Sequence, residues 1–305
     1  MKKFERVGVG IDFGDHGEKV LVSAASLARQ SGAAIDLIHV LRPPPVYDRV
    51  LASVQSAPDL DAAASVAAER LDELAARAPL AGLTVRSHVG VGRPDVELVR
   101  IVGEAGDDLI VLGPSSRDSS PWLRIGRTAE RVLRTASMPV LIAKKPLDAT
   151  PRRIVAMTDF SDASAHALVE AASLARSWGA ELVLIHVLEP IIFLQGWGAK
   201  LAGGSDIYAV DPADLEPEWE AILGRLDLDG VTLRHETAKG EVVPTLVARA
   251  DALEADLVVL GTHGRTGLSH ALLGSVAQSV LEETPLPVLV VRSDAESFIL
   301  DQAGA

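Results

Sequence analysis

A glycine-rich segment between residues 261 and 275 contains the residue types that bind phosphate. Gly261 and Gly264 lack a Cβ, so the backbone can approach a phosphate closely and adopt positive φ. Gly274-Ser275 stands where a helix is predicted to begin, and the free N–H groups and dipole of a helix N-terminus favour an anion. The Ser275 hydroxyl is a further donor to a phosphate oxygen. A glycine-rich turn before an ordinary helix start explains the same residues without a ligand.

The surrounding sequence favours binding over catalysis. His263 lies inside the segment, where it either contacts phosphate or points outward. The chain has no GxxxxGK(S/T) lysine, no HxGH signature and no evident general base for the phosphates. No His, Asp and Glu residues show metal-ligand spacing, so Mg²⁺ or Mn²⁺ would be held through the phosphates of a nucleotide.

The elements that must position this segment occur twice. The longest matches are listed in pairs here: Arg6–Phe13 with Arg153–Phe160, Leu37–Val40 with Leu184–Val187, Asp108–Gly113 with Asp256–Gly261, and Pro139–Ile142 with Pro287–Val290. The offset is 147 residues in the first two pairs and 148 in the last two. A repeat of this length indicates a duplicated whole domain. We therefore predict domains at 1–147 and 148–305, joined through the polar seam Lys144–Pro151.

The second half is typical of alternating strands and helices. The predicted strands are Arg153–Met157, Glu181–Val187, Val231–Glu236, Asp256–Leu260 and Pro287–Val291. The predicted helices are Ala163–Ser177, Asp214–Leu226, Val243–Leu253 and Leu272–Glu282. Nearly continuous apolar strands between helices indicate an α/β fold with a parallel sheet covered on both faces. Such sheets bind ligands beyond the carboxyl ends of their strands, which directs attention to the loops after strands one, two and four.

Composition narrows the class of protein further. The chain has 305 residues, 48% of them hydrophobic and 23% charged, which excludes a mostly disordered protein. It has no cysteine, which excludes disulfides and thiol catalysis and fits a cytoplasmic location. We expect no signal peptide and no membrane span. Residues 148–305 carry 10 Lys and Arg against 24 Asp and Glu. Such an acidic half argues against nucleic-acid binding, although acidic surfaces also serve solubility.

The spacing of Gly261, Gly264 and Gly274-Ser275 matches G-2x-G-9x-G-(S/T), and on this motif the chain resembles the ATP-binding universal stress proteins. The resemblance covers nearly all of both halves. It implies two tandem Rossmann-like domains, each a mostly parallel five-stranded sheet with helices on both faces. It also implies ATP, ADP or AMP as the ligand and dimer-like pairing through the last strand.

The resemblance assigns roles only to residues that match. It implies that the ribose and phosphates are held by Gly261, Gly264, Gly274 and Ser275. Asp159 would stand beside the nucleoside and accept hydrogen bonds from ribose hydroxyls or the adenine amine. Val187 would offer backbone groups to the adenine edge. Without the resemblance, Asp159 is equally an N-cap or turn residue, and Val187 is a core residue.

The first half departs from the motif. Ser116 replaces the second glycine, Arg127 replaces the motif serine, and Pro114 removes a backbone donor that the second half retains. Asp12 and Val40 remain at the nucleoside positions. We therefore predict a damaged phosphate cradle in the first half and one tightly bound nucleotide per chain, in the second.

Two further features stay open. Arg127 shares a helical stripe with Arg124, Arg131 and Arg134, which forms either a solvated face with salt bridges or an anion site. The glycine-rich, aromatic segment Glu189–Pro217 occurs only in the second half. It is a lid, a partner surface or a loop folded on its own core.

Three functions fit this sequence. The first is a stress-response regulatory protein that binds an adenine nucleotide. The second is a slow ATP hydrolase or phosphoryl-transfer enzyme. The third is an interaction protein with vestigial nucleotide sites. Because the last strands Pro139–Ile142 and Pro287–Val290 are apolar, we also predict that they pair, within the chain as a pseudo-dimer, between chains as a homo-oligomer, or both.

Overall fold

The computed structural model describes residues 4–43, 60–114, 125–147, 149–190, 210–262 and 273–292. The chain divides into two compact units, Lys2–Thr150 and Pro151–Ala305. Several residues from the sequence predictions lie outside the described residues: Ser116, Arg124, His263, Gly264 and most of Glu189–Pro217.

The first unit alternates strands and helices along the chain. Its strands are β1 (Arg6–Gly10), β2 (Ala34–Leu41), β3 (Val85–Val91), β4 (Leu109–Leu112) and β5 (Val140–Ile142). Its described helices are α1 (Gly17–Ser31), α2 (Leu60–Ala75), α3 (Pro94–Ala105) and α4 (Arg127–Thr135), with a 3₁₀ turn at Ala78–Leu80.

The second unit repeats this order. Its strands are β6 (Arg153–Met157), β7 (Glu181–Leu188), β8 (Thr232–Lys239), β9 (Leu257–Gly261) and β10 (Val288–Val291). Its described helices are α5 (Asp162–Trp178), α6 (Glu216–Leu223), α7 (Val242–Ala252) and α8 (Ser275–Glu283), with a 3₁₀ turn at Pro212–Leu215.

Each unit builds one parallel five-stranded sheet. The strand order is β3-β2-β1-β4-β5 in the first unit and β8-β7-β6-β9-β10 in the second. The order therefore reverses between β1 and β4, and again between β6 and β9. In open α/β sheets the crevice for ligands lies at this reversal, beyond the carboxyl ends of the strands. The predicted α/β class, with two Rossmann-like domains in tandem, is confirmed.

The central strands are buried on both faces. Every residue of β4 is buried, as is every residue of β9 except its last, Gly261, because helices cover both sides of the sheet. Helix α5 shows how the sequence delimits a covering element. The Ser161 side chain accepts a hydrogen bond from the Ser164 N–H at the start, and Gly179 closes the end with φ of 64°.

The helix predicted over residues 214–226 differs from the observed one. Proline at position 217 has no N–H and cannot donate to a carbonyl one turn earlier. The chain therefore makes the 3₁₀ turn first, and α6 begins at Glu216, with the proline in its first turn. Among the described residues, no helix is long and apolar enough to cross a membrane.

Candidate functional site

The second unit brings three predicted site residues to one edge of its sheet. Strands β7, β6 and β9 are neighbours, and Asp159, Val187 and Gly261 lie at or just past their carboxyl ends. The parallel register aligns these ends, with Met157 opposite Ile185 and Ala156 opposite Val259. Residues far apart in sequence therefore lie at one edge of the sheet, at the place where the strand order reverses and where open α/β sheets form a ligand crevice.

The turn after β6 fixes the Asp159 carboxylate. Its Oδ1 accepts hydrogen bonds from the Ser161 N–H (3.1 Å) and Ser161 hydroxyl (2.5 Å). Ser161 in turn caps α5, so Asp159 is a turn residue that holds the cap and not the cap itself. The side chain is half-buried at the open edge. The carboxylate is therefore oriented before any ligand arrives.

Phe160 completes this turn with an unusual backbone. Its φ is 63°, a left-handed value that is uncommon for residues other than glycine, and its N–H donates to the Thr158 hydroxyl at 2.9 Å. The ring lies 4.4 Å from the His186 ring and 4.9 Å, edge to face, from the Trp219 ring. Phe13 repeats the conformation in the first unit, with φ of 55°. The repeated Asp-Phe pair was the signal for this role, which the sequence predictions missed.

The two residues that contact the Phe160 ring, Trp219 and His186, are themselves held by further contacts. Trp219 is 2% exposed, its Nε1–H donates to the Thr237 hydroxyl at 3.0 Å, and its ring lies 4.6 Å from that of His235. His186 is buried, with 2.9 Å between its Nδ1 and the Thr158 carbonyl oxygen. His186 is therefore a satisfied core histidine.

Val187 serves both the core and the edge. Its side chain is buried, while its backbone direction follows from the alternation of a parallel strand. Ile185 accepts from the Thr158 N–H at 2.9 Å on the β6 side, and Leu188 accepts from the Gly240 N–H at 3.0 Å on the β8 side. Val187 therefore directs its N–H and C=O towards the β6 side, past the last residue of that strand.

The other end of the crevice is a helix start without a side-chain cap. Gly274 is the N-cap of α8 and Ser275 is its first residue, exposed to solvent. The Gly274 N–H donates to the Thr262 carbonyl oxygen at 2.7 Å, which ties the helix start to the end of β9. The first N–H groups of α8 and the Ser275 hydroxyl thus face an edge that suits an anion.

Two details of the predicted phosphate end are wrong. Gly261 is the last residue of β9, paired with Val291, and is not among the described glycines with positive φ. Gly261 therefore does not make a left-handed turn, and the close approach of a phosphate to its backbone stays a prediction. The Thr262 N–H donates to the Val291 carbonyl oxygen at 3.0 Å within the sheet. Pro114 in the first unit therefore removes no phosphate donor.

His263 and Gly264 lie outside the described residues, so their predicted roles stay predictions. Within the described part of the chain, no group of three His, Asp or Glu side chains could hold a metal ion.

Comparison with known proteins identifies the family. The model of the universal stress protein family matches residues 3–144 and again residues 150–292, which together make up most of the chain. The chain belongs to the universal stress protein family. The predicted resemblance and its tandem arrangement are thereby confirmed.

Universal stress proteins from archaea and bacteria resemble this one. A protein of Methanocaldococcus jannaschii is 33% identical over 151 residues, covering 46% of this chain and 82% of that protein. A protein of Mycolicibacterium smegmatis is 26% identical over 303 residues, covering 93% and 96%. The crystal structure of a universal stress protein from Archaeoglobus fulgidus shares the fold, with a TM-score of 0.69, 22% identity and coverage of 95% and 97%.

The first unit of this universal stress protein has a cavity of about 490 Å³ at the corresponding edge. Its wall includes Asp12, Val40, Gly113 and Gly126, the repeat counterparts of the site residues in the second unit. The predicted loss of the motif in this half has therefore not closed the pocket.

Arg127 also lines this cavity, which separates it from the rest of its predicted stripe. Arg131 lies 3.6 Å from Asp95 and Arg134 lies 2.6 Å from Glu130, so these two form salt bridges as a solvated face would. Arg127 is the first residue of α4, so this helix begins at the cavity wall.

A buried acidic cluster lies at the opposite, amino-terminal edge of the first unit's sheet. Asp36 in β2 and Asp107 before β4 are 0% and 5% exposed. Gly8 of β1 leaves room between them, since a Cβ there would lie 2.8 Å from Asp107 Oδ2. Arg6 contacts both carboxylates, and His88 Nε2 lies 2.6 Å from Asp36 Oδ1. Burial and the neighbouring Asp36 carboxylate raise the pKa of Asp107 to about 8.

Proposed function

We propose that the second unit binds an adenine nucleotide, with ATP as the first candidate, and that the protein is a regulatory member of its family whose state depends on that nucleotide. The observation that carries the proposal is the convergence of Asp159, the Val187 backbone and the α8 N-terminus on one crevice. A base, a ribose and a phosphate chain need these three kinds of contact.

The nucleoside end of the proposal rests on complementary polar groups. The Val187 N–H and C=O offer one donor and one acceptor to the edge of a purine. The Asp159 carboxylate is an acceptor for ribose hydroxyls, and the bonds from Ser161 to its Oδ1 fix its orientation. Phe160 adds an apolar wall at this end, since its ring is packed against His186.

The phosphate end rests on the start of α8. Backbone N–H groups at a helix N-terminus and the helix dipole stabilise anions, and a hydroxyl at the first helical position adds a charge-assisted hydrogen bond. Ser275 is exposed and available for that bond. Because Arg127 replaces this serine in the first unit, we propose one ATP per chain.

The first experiment asks what the protein carries. Purified protein is denatured, and mass spectrometry identifies the released nucleotide. We expect an adenine nucleotide at about one per chain. Calorimetry with ATP, ADP and AMP then ranks the affinities. Two equal ATP sites per chain, or none at millimolar ATP, would contradict the proposal.

The second experiment places the site. Ser275→Asp adds a negative charge beside the phosphates and removes the hydroxyl donor, so ATP binding should weaken about 100-fold or more, as expected for the loss of 1.5–3 kcal/mol plus repulsion. Thr232→Asp is the matched control, since it adds the same charge at the exposed start of β8, the opposite edge of the sheet. ATP at ~100 times its Kd should stabilise the wild type and the control by ~2.7 kcal/mol. Equal binding by Ser275→Asp would move the site elsewhere.

Pairing through the last strands and a cytoplasmic location stay predictions.

A further inference from the structure

The first-unit cavity differs in charge from the nucleotide crevice proposed for the second unit. Three positions in its wall carry His16, Arg42 and Arg127. The repeat places Ala163, Glu189 and Ser275 at the same three positions of the second unit. Two added guanidinium groups and the loss of one carboxylate make these three positions more cationic than their counterparts in the second unit.

Two of these side chains, Arg42 and Arg127, lack an acidic partner in the part of the chain that the structure describes. Within the described residues, no carboxylate lies within 4.0 Å of the Arg42 or Arg127 guanidinium. His16 Nδ1 is buried from solvent and has no hydrogen-bond partner there either. A buried ring nitrogen without a partner is costly, so it indicates a missing polar partner at the cavity wall.

The backbone around the cavity also favours an anion, because two helices begin there. Helices α1 and α4 begin at Gly17 and Arg127, and both of these residues line the cavity. Neither N-cap residue makes a side-chain cap hydrogen bond. The Gly17 N–H donates to the Gly14 carbonyl oxygen at 3.1 Å. The positive ends of the two helix dipoles nevertheless add to the positive potential of the arginines.

Asp12 gives the cavity a second, opposite preference. Its Oδ1 accepts the Gly14 N–H at 2.9 Å, which leaves Oδ2 as an acceptor at the exposed end of the pocket. A carboxylate repels an anion and accepts hydrogen bonds from hydroxyl groups. The ligand should therefore carry an anionic end and a hydroxyl-bearing end.

We propose that the first unit binds a phosphomonoester with free hydroxyl groups, with its phosphate at Arg127 and the α4 N-terminus and its hydroxyls at Asp12. A phosphomonoester carries about −1.5 to −2 charges at pH 7, which two guanidiniums balance, whereas a triphosphate exceeds them. Sugar phosphates and nucleoside monophosphates share this chemistry. The proposal does not rest on the nucleotide site of the second unit.

The test uses the full chain carrying Ser275→Asp, which removes the proposed second-unit site, and calorimetry with ribose 5-phosphate, AMP, ribose and inorganic phosphate. We expect ribose 5-phosphate or AMP to bind, and the tighter of the two identifies the source. Ribose and inorganic phosphate should bind at least 10-fold more weakly, because each lacks one of the two ends.

Variants then locate the binding. Arg127→Ser, which installs the second unit's residue, should weaken monoester binding about 10- to 100-fold, the loss of one charge-assisted interaction. Arg127→Lys should fall between the two, because it keeps the charge and loses the fork. Arg86→Gln, an exposed arginine of β3 outside the cavity, should bind as the parent does. Arg127 is itself exposed, so these variants should fold.

The proposal is overturned if neither monoester binds at millimolar concentration, if inorganic phosphate binds as tightly as the monoesters, or if Arg127→Ser leaves binding unchanged. ATP binding by the chain with an intact Ser275 reports on the other unit separately. The two measurements therefore distinguish an error in this proposal from an error in the proposed nucleotide site of the second unit.

Discussion

Replacing Asp107 with asparagine should make the stability of the first unit much less sensitive to pH. Asp107 is buried beside Asp36, and its pKa of about 8 means that it is protonated at neutral pH in the folded protein. In the unfolded chain the carboxyl returns to its ordinary pKa of 3.8. Between about pH 4 and pH 8 the folded state therefore holds one more proton than the unfolded state.

The sign and size follow from that proton. A carboxyl whose pKa is higher in the folded protein than in the unfolded chain stabilises the folded state fully at pH values below its unfolded pKa. This stabilisation is lost as the pH rises through its folded pKa. The free energy of unfolding should fall by up to about 1.4 kcal/mol per pH unit, or by about 2 kcal/mol from pH 6 to pH 8. Asparagine cannot ionise, and its amide can donate permanently to the Asp36 carboxylate. The free energy of unfolding of Asp107→Asn should therefore lack this fall of about 2 kcal/mol between pH 6 and pH 8.

Other charged groups face this cluster, so the assay includes a variant of the histidine among them. Arg6 and His88 contact Asp36, Asp108 raises the pKa of Asp107, and Glu5 raises the pKa of Asp108. Hydrogen exchange with mass spectrometry on β1 and β4 peptides at pH 6, 7 and 8 reports the opening free energy of the first unit alone. A His88→Gln background removes the imidazole from the titration.

The control is Asp61→Asn, an exposed aspartate at the start of α2, which should follow the wild-type curve. If Asp107→Asn and the wild type lose the same stability between pH 6 and pH 8, the proton on Asp107 is not linked to folding and the reasoning fails.

Three other perturbations have defined outcomes. Gly240→Ala should lower the free energy of unfolding by about 1–3 kcal/mol in urea denaturation, because φ is 145° and a Cβ would clash with the Thr245 hydroxyl. Gly103→Ala in α3 is the control: its Cβ would meet no atom within 4 Å, so this change should raise the free energy of unfolding by about 0.4–1 kcal/mol. Trp219→Phe removes the bond to Thr237 and should cost about 1–2 kcal/mol by the same measurement; an unchanged denaturation midpoint would show that this bond adds nothing. Steady-state phosphate release from ATP should stay far below the ~1–100 s⁻¹ of kinases, and turnover in that range that His263→Ala abolishes would make the protein an enzyme.

The strands and the edge that carries the site were predictable, because the apolar runs are short, continuous and repeated. Strand β6 matches its predicted bounds, and Ser161 and Gly179 cap α5 as their residue types indicate. The same pattern indicates the loops where a site is expected, since the carboxyl ends of parallel strands meet at one edge, whereas the individual site residues depended on the family resemblance.

The acidic cluster was not predictable. Asp36 interrupts an apolar strand, and its partner Asp107 is distant in sequence. Their contact depends on β2 and β4 flanking β1, which local periodicity does not reveal. The second unit has Val183 and Ala255 at these positions, so the repeat itself gives no signal of a buried charge.

Arg127 illustrates a different limit. Its helical spacing is that of a surface residue, and it is indeed exposed. Only the three-dimensional arrangement shows that this surface is the wall of a pocket. Periodicity separates inside from outside, but it does not distinguish solvent from a ligand cavity.

The left-handed backbone at Phe160 is strained, and packing contacts of its side chain hold it in place. This conformation costs on the order of 1 kcal/mol, and the contacts of the ring with His186 and Trp219 hold it in place. The neighbouring Asp159 carboxylate belongs to the same turn, so its position depends on these ring contacts. A substitution at Trp219, which contacts Phe160 from the buried interior, should therefore loosen the turn and weaken the nucleotide binding that we propose for this unit. Under that proposal, buried side chains that do not touch the ligand help to set its affinity.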